Sequence, residues 1–112
     1  MSEAWICKKL VQYARLKKWP LFHISNEGKR NPGWSQAIGI VAGVSDYFLP
    51  IPSFPYSGLW IEMKDYGKKP TRKQLVFLEL MKRYGFATAC FDDWLEAVEF
   101  IELYLEQNHL EV

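Results

Sequence analysis

The alternation of helical and strand-like segments along the chain predicts an α/β protein, a sandwich of helices around a small mixed sheet. Two observations lead to it. Segments of helical periodicity opened by capping residues occupy 2–18, 71–84 and Asp93 to about Gln107. Between them lie short β-favouring runs bounded by Gly, Pro and Asn, of which Gly58–Lys64 is the clearest. The resulting order is helix, strand, short elements, strand, strand, helix, strand, helix, with no internal repeat.

Taken in order, Ser2 caps a first helix with Ile6, Leu10, Tyr13 and Ala14 on one face, and Trp19-Pro20 stops it. Leu21–Ile24 is the first strand, with His23 expected as a satisfied core residue. Ser25–Gly33 is a polar loop punctuated by Gly and Pro. Trp34–Ala42 is ambiguous, and Gly39 and Gly43 allow positive φ or a close backbone approach near Asp46. Asp46 leads into the apolar run Tyr47–Leu49. Three prolines exclude Leu49–Tyr56 from a central strand, so it is an apolar loop, folded on its own core or open to a partner. Thr71-x-x-Gln74 matches a capping box for the second long helix. Phe86–Phe91 is a strand, and the last helix turns Leu95, Val98, Ile101 (or Glu102) and Leu105 inward.

Within Gly58–Lys64, alternation sends Leu59, Ile61 and Met63 to one face and Trp60, Glu62 and Lys64 to the other. A hairpin-like return from Asp46 would bring its carboxylate to that of Glu62, with Lys64 beside them. On an edge strand such residues form an ordinary surface ion pair. Together they also suit phosphodiester hydrolysis: two carboxylates and the Met63 carbonyl hold a hard divalent cation. Lys64 then orients water or offsets phosphate charge. Adjacent carboxylates favour charged lysine, so the orienting role is expected over that of a base. Glu3 suits the helix dipole, and would equally hold a metal-bound water or a second ion. Gln74 either closes the capping box or points at the carboxylates.

The bulk properties bound these readings. With 112 residues, 49% hydrophobic and 24% charged, the chain is one globular domain, 1–112, large enough for a core. Five Trp contribute to an aromatic share of 16%, enough for a ring-rich core or interface. No apolar run approaches the roughly 20 residues needed to span a bilayer, and Met-Ser-Glu-Ala-Trp lacks the features of a signal peptide. Cys7 and Cys90 share no metal-ligand spacing and are expected as reduced, buried thiols of a cytoplasmic protein. The net charge of +1 is segregated: residues 1–91 carry 14 Lys and Arg against six acids, a net +8, and residues 92–112 carry seven acids and no Lys or Arg, a net −7. A basic body fits a polyanion, and an acidic helix fits solvation or docking on basic neighbours. Lys29 and Arg30 in the polar loop, with Lys68, Lys69, Arg72 and Lys73 at a helix start, are candidate phosphate contacts.

Glu3, His23–Arg30, Gly43-Val44-Ser45-Asp46, Gly58–Lys64 and Gln74, in this order, resemble the virus-type replication-repair nuclease domain, VRR-NUC, of the PD-(D/E)XK superfamily. The resemblance spans essentially the whole chain. It implies the restriction-endonuclease-like αβββαβ core with an extra C-terminal helix, and Asp46, Glu62 and Lys64 as catalytic core. Glu3 and Gln74 match the family's helix-borne acid and its glutamine. Mg²⁺ or Mn²⁺ is the implied cofactor, DNA the implied substrate, and a phage or prophage the implied source. Stand-alone members resemble Holliday-junction resolvases, so a homodimer acting on branched or four-way DNA is expected. One departure is Ser45, where the family has a proline that shapes the backbone before the aspartate. Activity is expected to survive it. The alternatives are a flap or nicking nuclease, a junction-binding module without cleavage, and a protein-interaction domain using the aromatic loop and acidic helix. No base-reading module is recognisable, so recognition of shape and backbone is expected.

Overall fold

The computed structural model describes residues 2–24, 39 and 42–110, with side chains described through Glu106. Along them run α1 (Glu3–Lys17), β1 (Phe22–His23), β2 (Tyr47–Leu49), β3 (Leu59–Met63), α2 (Arg72–Arg83), β4 (Ala87–Phe91) and α3 (Trp94–Leu110). The strands form one sheet in the order β1-β2-β3-β4. β2 pairs antiparallel with β1 and with β3, and β3 pairs parallel with β4. A parallel pair needs a crossover, and α2 supplies it. The result is the helix, three strands, helix, strand and closing helix expected from the sequence, and none of the helices among the described residues is long and apolar enough to cross a membrane.

Strand alternation assigns the two faces of the sheet. Leu59, Ile61 and Met63 of β3 are fully buried in the main core with Ile6 and Leu10 of α1 and Ala97, Val98, Ile101 and Tyr104 of α3. Trp60 points the other way, where its ring lies 4.5 Å from Phe48 and 5.0 Å from Phe77 of α2. The aromatic surplus divides between the two faces: Phe48, Trp60, Phe77 and Phe86 pack together beneath α2, while Tyr13, Trp19, Tyr47, Phe91, Trp94, Phe100 and Tyr104 join the main core. The proline-rich loop folds on its own core: Ser53 is buried and its hydroxyl donates to the Tyr104 carbonyl at 2.5 Å, while the Tyr104 hydroxyl donates to the Ile51 carbonyl at 2.7 Å. Phe54 at its tip stays 70% exposed.

Three expectations are corrected. The first strand is two residues long, although Ile24 N–H still donates to the Asp46 carbonyl at 2.7 Å. His23 is exposed, because it sits on an edge strand too short to be covered. Leu95 is 53% exposed, and Trp94, Ala97 and Tyr104 join Val98, Ile101 and Leu105 on the inner stripe of α3. At about 100° per residue, Leu95 falls about 120° from the centre of that stripe.

Helix α1 begins where Ser2 Oγ accepts from Trp5 N–H at 3.2 Å and ends at Lys18, a non-glycine residue in the left-handed region with φ 61°. That conformation costs a side-chain-bearing residue more than glycine, even after glycine's greater chain entropy. Lys18→Gly is expected to stabilise the protein by roughly 0.5–1 kcal/mol, read as a higher thermal midpoint; an unchanged or lower midpoint would contradict this.

Candidate metal centre

The centre begins with Glu62. On the middle strand, flanked by β2 and β4 and roofed by the start of α2, it is only 1% exposed. Its Oε2 accepts from Gln74 Nε2 at 3.0 Å, and its Oε1 is buried without a hydrogen-bond partner among the described residues. Burial, and then the neighbouring Asp46 charge, push the Glu62 carboxyl from its ordinary 4.5 up to about 8. A buried carboxylate oxygen with nothing to hold costs several kcal/mol as an order of magnitude, unless a proton or a cation takes it.

Asp46 comes from the short segment that enters β2. Its Oδ2 accepts from Met63 N–H at 2.9 Å and its main-chain oxygen from Ile24 N–H, so neighbours on both sides fix it. Ser45 beside it is fully buried, with a hydroxyl that has no hydrogen-bond partner among the described residues. Gly43, at φ 91°, lies against the first turn of α2: a Cβ there would meet the Lys73 carbonyl oxygen at 2.5 Å. Only glycine lets the Asp46 segment and the start of α2 approach this closely.

Glu3 arrives from the opposite side of the sheet on the first turn of α1. Its backbone N–H donates to Asp65 Oδ1, which ties the helix start to the turn after β3. Burial, then Asp46, raise its carboxyl above the ordinary range. Glu3, Asp46 and Glu62 each place one carboxylate oxygen within 4.8 Å of the other two. Two oxygens sharing a cation at ~2.1 Å lie no more than about 4.2 Å apart, so a small inward adjustment closes the cluster on one ion. The hard oxygen donors, the unpartnered Glu62 Oε1 and the raised carboxyls all fit a divalent cation.

Gln74 resolves the two readings of its role by filling both. Its Oε1 accepts from Thr71 N–H at 2.8 Å, closing the capping box, and from Lys64 Nζ at 3.3 Å. Its Nε2 donates to Glu62. Flipping the amide would set donors against donors, so the cap fixes which end faces the carboxylate. Lys64 and Glu62 are joined through this amide.

Each expected residue can now be placed. Glu3, Asp46 and Glu62 converge, with Lys64 and Gln74 alongside. Met63 offers its N–H to Asp46 while its side chain lies in the core on the other face. Lys68, Lys69, Arg72 and Lys73 are exposed on the adjoining turn and the first turn of α2. Lys29 and Arg30 lie outside the described residues. Two further acids support the site without having been expected there: Asp65, which binds the Glu3 N–H, and Asp92, whose Oδ2 accepts from Gly67 N–H at 2.9 Å and steadies the basic turn. The cysteines are free and half-buried rather than buried, and burial pushes both thiols up to about 11. Cys90 stands opposite Glu62 in the strand register.

No family model matches the chain, and no curated protein matches its sequence. Among solved structures, one described as a VRR_NUC domain protein superposes with a TM-score of 0.82 at 18% identity, covering 96% of this chain and 90% of that one. At that identity the likeness is one of fold, and the fold is the PD-(D/E)XK-like architecture anticipated above.

The raised carboxyl of Glu62 gives a pH test. The folded protein keeps a proton that the unfolded chain releases near pH 4.5, so this group's contribution to stability is present below that pH and is lost as pH rises to about 8. In EDTA, thermal midpoints of Glu62→Gln are expected to decline less between pH 5 and 8 than those of the unaltered chain. Mn²⁺ should raise the midpoint of the unaltered chain, most at the alkaline end, and leave the variant nearly unmoved. Parallel profiles with and without the substitution would contradict this.

Proposed function

We propose that this chain is a VRR-NUC nuclease, a metal-dependent, structure-selective DNA endonuclease of 112 residues acting as a single domain on branched DNA in the manner of a Holliday-junction resolvase. The observation that carries the reading is the joining of three carboxylates, Gln74 and Lys64 at one end of the central strand, in a fold shared with a VRR_NUC domain protein.

In this reading Asp46, Glu62 and Glu3, with the Met63 carbonyl, hold Mg²⁺ or Mn²⁺. When bound, the cation offsets charge developing on the phosphate and leaving oxygen, and favours ionisation of the attacking water. The remaining work falls to the chain's own groups. Met63 N–H holds the Asp46 carboxylate in place, and Gln74 holds Glu62 from the other side. Lys64, held by the Gln74 oxygen, orients the water or offsets charge on the phosphate. Lys68, Lys69, Arg72 and Lys73, with Lys29 and Arg30, bind the flanking backbone, so recognition follows DNA shape more than sequence. The setting is the cytoplasm of a bacterial host, with a phage or prophage as source.

A small chain with one centre makes one cut, and two symmetric cuts across a junction call for two copies. The chain accordingly acts as a homodimer. The exposed Phe54 tip of the proline-rich loop offers apolar surface for that contact. Light scattering is expected to give twice the 13.2 kDa chain mass at working concentration, and a monomer would count against the resolvase role.

Cleavage assays decide the activity. Labelled four-way junction, flap, nicked and linear duplexes are incubated with Mg²⁺, Mn²⁺ or EDTA. Paired cuts near the crossover are expected, dependent on metal, with Asp46→Ala and Lys64→Ala each slower by on the order of 10²-fold or more. Cutting of flaps or nicked duplex alone would keep the chemistry and remove the junction role. Binding without cutting would leave a DNA-binding module.

A further inference from the structure

Of the basic residues assigned above, Lys68, Lys69, Arg72 and Lys73 lie on the turn after β3 and the first turn of α2, on the side of the sheet that α2 covers. A second basic surface lies on the other side. Cys7 of α1 and Tyr47, which follows Asp46 in the chain, border a shallow cleft of about 290 Å³ beside the cluster, about a third of a turn around α1 from Glu3. Lys8, Gln12 and Arg15 line it on the helix side, and Tyr47 and Cys7 meet at its floor. His23, exposed on β1, stands beside it with its ring 5.2 Å from that of Tyr47.

Two of the cations on α1 that line this cleft are uncommitted. Helix α1 and its cap carry five Lys or Arg and one acid, Glu3. Lys9 and Lys17 extend over the rings of Trp5 and Tyr13, at 5.5 and 5.7 Å. Lys8 and Arg15 have no such partner among the described residues, where the one ion pair is Lys82 with Glu79. At a rise of 1.5 Å per residue, Lys8 lies about 7 Å and Arg15 about 18 Å along the helix from Glu3. The ~10 Å between them matches about three nucleotides of one strand at 3.4 Å per nucleotide. Resting on the nuclease reading, we infer that Lys8, Gln12 and Arg15 form a second track for the sugar–phosphate backbone, holding the strand that leaves the carboxylate cluster on the α1 side. The DNA would then be gripped on both sides of the phosphate at the centre. The cluster lies between the two basic surfaces, and the charges of the track, Lys8 and Arg15, are suited to phosphate contacts.

The test is binding of a labelled four-way junction in EDTA, across 50–200 mM salt. Lys8→Ala/Arg15→Ala is compared with Lys9→Ala/Lys17→Ala, which removes equal charge from the same helix. Each phosphate contact contributes about 0.9 to the slope of log affinity against log salt concentration. The cleft variant is expected to lower that slope by about 1.8 and to weaken binding tenfold or more at low salt. The ring-held pair should change the slope little. In cleavage, the cleft variant should raise KM and leave kcat nearly unchanged. Equal effects from the two pairs, or none from either, would overturn the track while leaving the nuclease reading intact. Absence of DNA binding by the unaltered chain would overturn both.

Discussion

The carboxylate of Glu62, buried on the central strand with one oxygen held and one free, is the constraint on which the rest of the structure turns. A charge cannot sit there on packing alone. The surrounding elements meet that need in steps. The antiparallel return of β2 brings Asp46 within reach, and the Met63 N–H holds it. The crossover to β4 lays the start of α2 over Glu62, and Gly43 lets that first turn close against the Asp46 segment. Asp65 then draws the start of α1 in, so Glu3 reaches the same point from the far side of the sheet. Three acids from three separate elements converge at a cost in repulsion that a divalent cation would remove.

Much of this was legible in the chain because it obeys local rules. Period-two alternation through Leu59–Lys64 separates the core face from the site face, and the structure follows it. The Thr71-x-x-Gln74 spacing announces a capping box, and the box is present. Its second use was less obvious from spacing: one end of the amide caps while the other reaches Glu62. The proline-rich loop lies on its own core because Tyr104, 51 residues beyond Ser53, clamps it twice, a contact no local pattern could reveal.

What stayed hidden depended on distance in sequence. Asp65 contacts Glu3 across 62 residues, and nothing in Asp65-Tyr66-Gly67 distinguishes it from a turn aspartate. His23 is exposed because of where the sheet ends, and Leu95 because the inner stripe of α3 is set by α1 and the sheet together. Charge segregation was plain from composition, but its arrangement was not. The acidic α3 shares the main core with α1, and Glu102 accepts from Tyr13 of α1 at 2.9 Å. The lysines and arginines of α1 and of the start of α2 flank the carboxylate cluster from opposite faces of the sheet.

The central claim is that the cluster of Glu3, Asp46 and Glu62 is built for a divalent cation. Calorimetric titration of the metal-free protein with Mn²⁺ near pH 7, repeated in buffers of different ionisation heat, tests it most directly. Because burial and Asp46 hold Glu62 protonated to about pH 8, saturable binding is predicted to release most of one proton per protein, and Glu62→Gln to abolish that release. Absence of saturable binding, or binding with no proton released, would contradict the account.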